Sequence, residues 1–268
     1  MKARAISVAG FDPSGGAGTL ADVRTFNRYG VYGAAVVTAL TFQDTQKVYG
    51  VSPLHPDDVG RQMEILLSDM DFQAVKTGML ADAEIVGVVA DLLKRYGVKN
   101  LVVDPVMRST SGAVLLDDRG TEEMVRRLFP MATLVTPNVP EAEYLTGVEI
   151  GSIKDMEEAA GRILKMGPEA VLIKGGHLEG EVVDLLRVRR PDGDRVYRFV
   201  DTKLNVDVHG TGCVLASSVA ALLSRGCDII TAVSLAVSDM RKALREGVVK
   251  VGRGRPVIFR PYGGNFPC

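Results

Sequence analysis

The stretch Val208-His209-Gly210-Thr211-Gly212-Cys213-Val214-Leu215-Ala216-Ser217-Ser218 sets two glycines, a threonine and a cysteine at the start of a long apolar helical pattern. First-turn N–H groups of a helix have no intrahelical partner and favour an anion. A phosphoryl group that gains negative charge during transfer suits such a turn. The helix dipole is expected to lower the pKa of Cys213, so that its thiolate takes a proton from a hydroxyl. The competing reading is a plain helix cap with Cys213 as a small buried apolar residue. Cys227 and Cys268 have no comparable setting and receive no role.

Four other groups bear chemistry. Gly10-Phe11-Asp12-Pro13-Ser14-Gly15-Gly16-Ala17-Gly18 lets backbone approach a ligand closely. It has neither GxGxxG spacing nor the lysine of a P-loop, and it also suits a tight strand-to-helix turn. Asn138 and Glu141, in Thr136-Pro137-Asn138-Val139-Pro140-Glu141, share one face of a first helical turn. Their oxygens suit hydrated magnesium, or else a capping box. Asp104 ends Leu101-Val102-Val103-Asp104 before Pro105, at the sheet edge where open α/β folds bind ligands, or caps a turn there. Lys174, in Ile173-Lys174-Gly175-Gly176-His177, suits phosphate oxygens, or is a solvated lysine before a turn.

The elements that must carry these residues are legible as a rhythm. Short β-rich runs recur at residues 5–9, 34–40, 74–76, 101–103, 134–135 and 171–173. Helical patterns lie between them, clearest from Asp82 to Tyr96, where Ile85, Val89, Leu92 and Tyr96 repeat and Gly97 stops the helix. The glycine-rich loop opens a helix to about Arg28, and further helices are expected from Thr211 to Ser224 and from Ile229 to Glu246. Such alternation predicts an α/β fold with a mostly parallel sheet and helices on both faces. Residues 181–200 break the rhythm as two alternating runs around Pro191-Asp192-Gly193-Asp194, a predicted antiparallel edge hairpin.

Composition narrows the partners. The 268 residues are 46% hydrophobic, with 32 lysine and arginine against 33 acidic residues. No net field exists to hold nucleic acid or an anionic membrane, so a small molecule is the expected partner. No run approaches the roughly 20 apolar residues of a membrane span, and residues 1–12 read as a first strand rather than a signal peptide. Three cysteines without metal-ligand spacing, in a chain too large to need disulfides, suit a reducing cytoplasm.

Taken together and in order, GFDPSGGAG, TALTFQDT, KTGML, VVDPVM, TPNVPEAE, IKGGH and HGTGC resemble the hydroxymethylpyrimidine/phosphomethylpyrimidine kinases of thiamine biosynthesis, from Ser7 to about Ser238. The resemblance implies a single ribokinase-like domain over residues 1–268, ATP and Mg2+, a cytoplasmic location and a homodimer. It implies that Gly10, Asp12, Thr41, Gln43, Met79 and Val106 surround the pyrimidine, with His209 beside the substrate and Gln43 pairing with the ring. Cys213 would face the hydroxymethyl group, as counterpart of the catalytic aspartate that ends a GxGD motif in many ribokinase-like enzymes. Lys174 and the amides of Gly210, Thr211, Gly212 and Cys213 would hold phosphates, with Asn138 and Glu141 on the ATP side and Asp104 and Glu141 placing magnesium. His177 also matches a motif position. Phe42, Asp44 and Leu20 depart from the family pattern and are expected to alter the pocket wall. Residues 204–208 are expected to reshape the lid, and the C-terminal GRGRPVIFRPYGG lacks the family's histidines. Pyridoxine or pyridoxal kinase activity is the alternative, and a non-catalytic pyrimidine sensor is the reading of another class.

Overall fold

A computed structural model of the chain describes residues 2–109, 112–175, 181–202, 204 and 206–260. The chain runs β1 (Arg4–Phe11), α1 (Gly18–Arg28), β2 (Tyr32–Gln43), β3 (Val48–Pro53), α2 (Pro56–Asp69), β4 (Ala74–Thr77), α3 (Ala83–Arg95) and β5 (Leu101–Val103). It continues through α4 (Asp118–Arg127), β6 (Leu134–Val135), α5 (Val139–Thr146), α6 (Ile153–Lys165), β7 (Ala170–Ile173), β8 (Glu181–Val188) and β9 (Arg195–Thr202). It closes with α7 (Thr211–Ser224), α8 (Ile229–Glu246), β10 (Val248–Val249) and β11 (Val257–Ile258).

One sheet of nine strands carries the site, in the order β3-β2-β1-β4-β5-β6-β7-β8-β9. Strands β2, β1, β4, β5, β6 and β7 are parallel neighbours. Their two-residue alternation divides the core. Ile6, Val8, Val75, Leu101, Val103, Val171 and Ile173 meet α2, α3, α4, α5 and α6 on one face. Ala5, Ala74, Val102, Leu134, Ala170 and Leu172 meet α1, α7 and α8 on the other. Strands buried on both faces are why these runs read as continuous apolar segments.

The expected hairpin is present as β8 and β9, antiparallel to each other, with β8 antiparallel to β7. A second one, β2 with β3, was not expected. Its turn holds no glycine and is built by Asp44, whose Oδ1 accepts N–H groups from Gln46 (2.8 Å) and Lys47 (3.1 Å). Phe42 is 59% exposed while its neighbours Thr41 and Gln43 turn inward. Phe42 therefore lies on the outer face and Asp44 shapes the turn. Cys227 is disulfide-bonded, which corrects the expectation of a chain without disulfides. Among the described residues no helix is long and apolar enough to cross a membrane.

Candidate active site

Apart from the turn before α7, the chemistry-bearing residues stand at the carboxyl ends of the parallel strands. Asp12 follows β1, Gln43 ends β2, Met79 follows β4, Asp104 follows β5, Asn138 follows β6 and Lys174 follows β7. Backbone bonds extend the sheet into the site: Asp104 N–H donates to Thr77 O (3.0 Å), and Lys174 N–H donates to Pro137 O (2.9 Å). The strand ends thus fix side chains that lie far apart in sequence.

The glycine turn falls where a helix begins. Gly210, at φ +81°, precedes α7, and no side chain caps the helix. Residues 209–214 are partly exposed, although the Cys213 sulfur itself is buried. Gly210 is locked against the other glycine-rich loop, since a Cβ there would lie 1.9 Å from Gly16 O. Gly212 borders Lys174, because a Cβ at that position would lie 3.1 Å from Nζ.

Asp12 braces the first loop. Its Oδ1 accepts from Ser14 N–H (2.8 Å) and its Oδ2 from Ala17 N–H (2.9 Å), while His209 Nε2 lies 3.0 Å from Oδ2. Burial opposes its charge, but the bonds from His209, Ser14, Gln43 and Ala17 outweigh burial and hold the carboxyl below its usual range. Gln43 Nε2 lies 3.5 Å from His209 Nε2, so its amide nitrogen faces this cluster. Thr41 Oγ1 donates to Phe11 O (3.0 Å), and Met79 O accepts from Thr38 Oγ1 (2.6 Å). Gly10 packs on the Met79 sulfur, and Val106 N–H donates to Asp104 O (2.8 Å).

The charged end centres on Asp104 and Lys174. Lys174 Nζ donates to Asp104 Oδ1 at 2.9 Å, and Thr136 Oγ1 donates to the same oxygen at 3.0 Å. Burial works against both charges, yet the partners prevail. Asp104 is held below its usual range, chiefly by Lys174, and Lys174 above its own by Asp104 and Glu141. Asn138 and Glu141 form a full capping box: Glu141 N–H donates to Asn138 Oδ1 and Asn138 N–H to Glu141 Oε2, each at 2.8 Å. The capping-box reading holds, and the cap carries Glu141 beside Lys174 and Asp104. Burial pushes the Glu141 carboxyl up to about 7, against the pull of Lys174.

The expected acidic thiol is not found. Burial pushes Cys213 up to about 11; Lys76 pulls it down, Asp22 and Asp104 raise it, and Gly18 N–H bonds to it and lowers it. At the start of α7, desolvation outweighs the helix field. His177, Lys203 and Asn205 lie outside the described residues.

Two features escaped the sequence reading. Lys76 is fully buried and pairs with buried Asp22 at 2.9 Å, although it stands in the KTGML motif. The segment from Gly252 to Val257 ties the turn after β2 to the residues before α7. Gly254 N–H donates to Thr45 Oγ1 (3.0 Å), Arg255 N–H to Thr45 O (2.8 Å) and His209 N–H to Pro256 O (2.9 Å). The first carried a signal, a lysine inside an apolar strand, whereas the second is a long-range backbone contact with none.

Comparison with known proteins identifies the family. Residues 12–257 match the phosphomethylpyrimidine kinase family. A hydroxymethylpyrimidine/phosphomethylpyrimidine kinase of Aquifex aeolicus is 44% identical over 256 residues, covering 95% of this chain and 98% of the relative. A crystal structure of phosphomethylpyrimidine kinase from Clostridium difficile has a TM-score of 0.79 at 40% identity, covering 91% of this chain and all of the other. The pyridoxal kinase of Staphylococcus aureus in complex with AMP-PCP and pyridoxal has a TM-score of 0.85 at 32% identity, covering 96% of this chain and 93% of the other. With its ribokinase-like sheet, its uncapped glycine turn at α7 and this likeness along nearly its whole length, the chain belongs to the phosphomethylpyrimidine kinase family.

Proposed function

We propose that this chain transfers the γ-phosphoryl group of ATP to the hydroxymethyl group of 4-amino-5-hydroxymethyl-2-methylpyrimidine, and then phosphorylates the monophosphate to the diphosphate, in thiamine biosynthesis. One observation carries the reading: the uncapped amides of residues 211–213 stand beside Lys174, at the same sheet edge as Gln43 and the Gly10 loop. Those amides and Lys174 hold the phosphates. Gly10, Asp12, Thr41, Gln43, Met79, Val106 and His209 surround the ring, and Gln43 has its amide oxygen left for the ring's amino group. Cys213 receives the hydroxyl proton. Catalysis comes mainly from positioning and from charge stabilisation at the helix start.

Magnesium fits the donor set. Among the described residues no three His, Cys, Asp or Glu side chains converge on a metal position. Asp104 keeps Oδ2 and Glu141 keeps one oxygen free of the bonds above, which suits a hydrated ion carried on nucleotide phosphates. When bound, the ion supplies charge neutralisation at the phosphate oxygens. Asn138 and Thr211 complete the nucleotide side.

Residues 1–268 act as one kinase domain, a reading supported by the single nine-stranded sheet. The active form is a homodimer, supported by exposed Leu40, Phe42 and Tyr49 on the β2–β3 edge. Its place is the cytoplasm, which rests on the use of ATP rather than on cysteine chemistry, since Cys227 is disulfide-bonded. A second reading, pyridoxal kinase, is favoured by the likeness to the Staphylococcus aureus enzyme. Steady-state assays with the pyrimidine and with pyridoxal separate the two: turnover of pyridoxal alone rejects the thiamine assignment and leaves the kinase chemistry standing.

A further inference from the structure

Behind Cys213 lies a buried charged pair that none of the ring or phosphate contacts uses. Ser7 and Lys76 are direct neighbours in the parallel register of β1 and β4, on the face covered by α1 and α7. Both reach Asp22 of α1. Lys76 Nζ donates to Asp22 Oδ2 at 2.9 Å, Ser7 Oγ donates to the same oxygen at 2.5 Å, and Ser217 Oγ of α7 donates to Oδ1 at 2.6 Å. Lys76, Asp22, Ser7 and Ser217 are all fully buried.

The helix spacing places this cluster one turn below the thiol. Asp22 follows Gly18 by four residues and Ser217 follows Cys213 by four, so each pair shares one helix face. Gly18 N–H bonds Cys213 on the upper rung, and Ser217 bonds Asp22 on the lower one. A lysine ammonium carries three protons, yet among the described residues Asp22 is the one hydrogen-bond acceptor of Lys76. A buried ion pair of this kind is often replaceable by apolar residues without loss of stability. Its value therefore lies in what its charge faces.

We propose that Lys76 is a positioning residue for phosphoryl transfer: its ammonium, anchored by Asp22, is the counter-charge that lets Cys213 hold negative charge and take the proton of the ring alcohol. This inference rests on Cys213 acting as the base. In the step itself the hydroxyl proton passes to the sulfur, and the freed oxygen pair forms the bond to the γ-phosphorus. The bond from that phosphorus to the bridging oxygen breaks, its electrons leaving with ADP. The charged groups facing Cys213 are Lys76 from β4, Asp22 from α1, Asp104 after β5 and Lys174 after β7, with the Gly18 N–H as a dipole. Lys76 is the largest of the influences that favour the thiolate.

The test sets the double variant Lys76→Met with Asp22→Asn against Asp22→Asn alone, because Lys76 lowers and Asp22 raises the Cys213 thiol and these two variants differ by the ammonium only. Alkylation of Cys213 by iodoacetamide at fixed pH, followed at that residue by mass spectrometry, reads its thiolate fraction without reference to turnover. Relative to Asp22→Asn, the double variant is expected to alkylate about tenfold more slowly, the loss that one pKa unit brings, with kcat for the pyrimidine lowered about tenfold, ring KM unchanged and Tm no lower. Unchanged alkylation with lowered kcat overturns the counter-charge inference alone. Slowed alkylation with full kcat overturns Cys213 as the base, and the role of Lys76 in transfer with it. Should the double variant fail to fold, Lys76→Gln with Asp22→Asn keeps a polar pair in the same space and must show the same loss of alkylation.

Discussion

Replacing Gly210 by alanine tests how tightly the two glycine-rich loops are locked. Alanine at φ +81° costs about 1 to 2 kcal/mol. Its Cβ would also lie 1.9 Å from Gly16 O, where real contacts keep 3.0 Å or more, so the loops must part by about 1 Å. Overpacking of that kind adds about 1 to 3 kcal/mol. A misplacement of about 1 Å at a reacting centre costs about 100-fold in rate. We therefore expect Gly210→Ala to lower kcat about 100-fold and to lower Tm by several degrees, at about 2 to 4 °C per kcal/mol for a chain of this size. Gly226→Ala is the control, since Gly226 has φ +95° with nothing within 4 Å of a Cβ. It should lose a few degrees of Tm and keep its kcat. Steady-state kinetics and thermal denaturation of both variants decide the matter: a kcat for Gly210→Ala no lower than that of Gly226→Ala refutes the locked-loop account.

Other perturbations separate the parts of the site. Cys213→Ala should depress kcat strongly while ring affinity stays nearly constant, because the sulfur acts in the transition state; equal turnover rejects Cys213 as the base. Gln43→Ala should weaken ring binding by about 1 to 3 kcal/mol, and an unchanged calorimetric affinity would remove Gln43 from the pocket. Glu141 has a folded pKa of about 7 against 4.5 when free. The folded state binds the extra proton between those values, so this group's contribution to stability declines as pH rises through that window. Melting curves in magnesium-free buffer should show the unsubstituted protein losing Tm relative to Glu141→Gln across that range, and parallel curves would count against the buried, raised carboxyl.

The frame of the fold was legible because its signals are local. The runs at residues 101–103 and 134–135 are strands with those bounds, and the helices expected at 211–224 and 229–246 begin and end where glycine and capping residues place them. Strand β3 escaped because Val48-Tyr49-Gly50-Val51 holds a mid-strand glycine and its turn lacks the usual Asn-Gly or Asp-Gly pair. The site was legible as strand-end residues, since an open parallel sheet gathers its carboxyl ends along one edge. Interactions between distant elements were not. Asp12 was expected to border the ring, and both its oxygens are engaged in bracing its own loop and His209. The acidity of Cys213 was misjudged because a helix start is visible in sequence, whereas the burial that overrides it depends on how α1 packs on α7. The Lys76–Asp22 pair joins residues 54 positions apart, beyond any periodic pattern.

The central claim is that the amides of residues 211–213 receive the phosphoryl group being transferred. A crystal structure of the chain with AMP-PCP and hydroxymethylpyrimidine tests it most directly. The account predicts γ-phosphate oxygens within about 3 Å of those N–H groups, with the ring hydroxyl between the phosphorus and Cys213. A γ-phosphate bound away from α7, or a ring alcohol remote from Cys213, would contradict it.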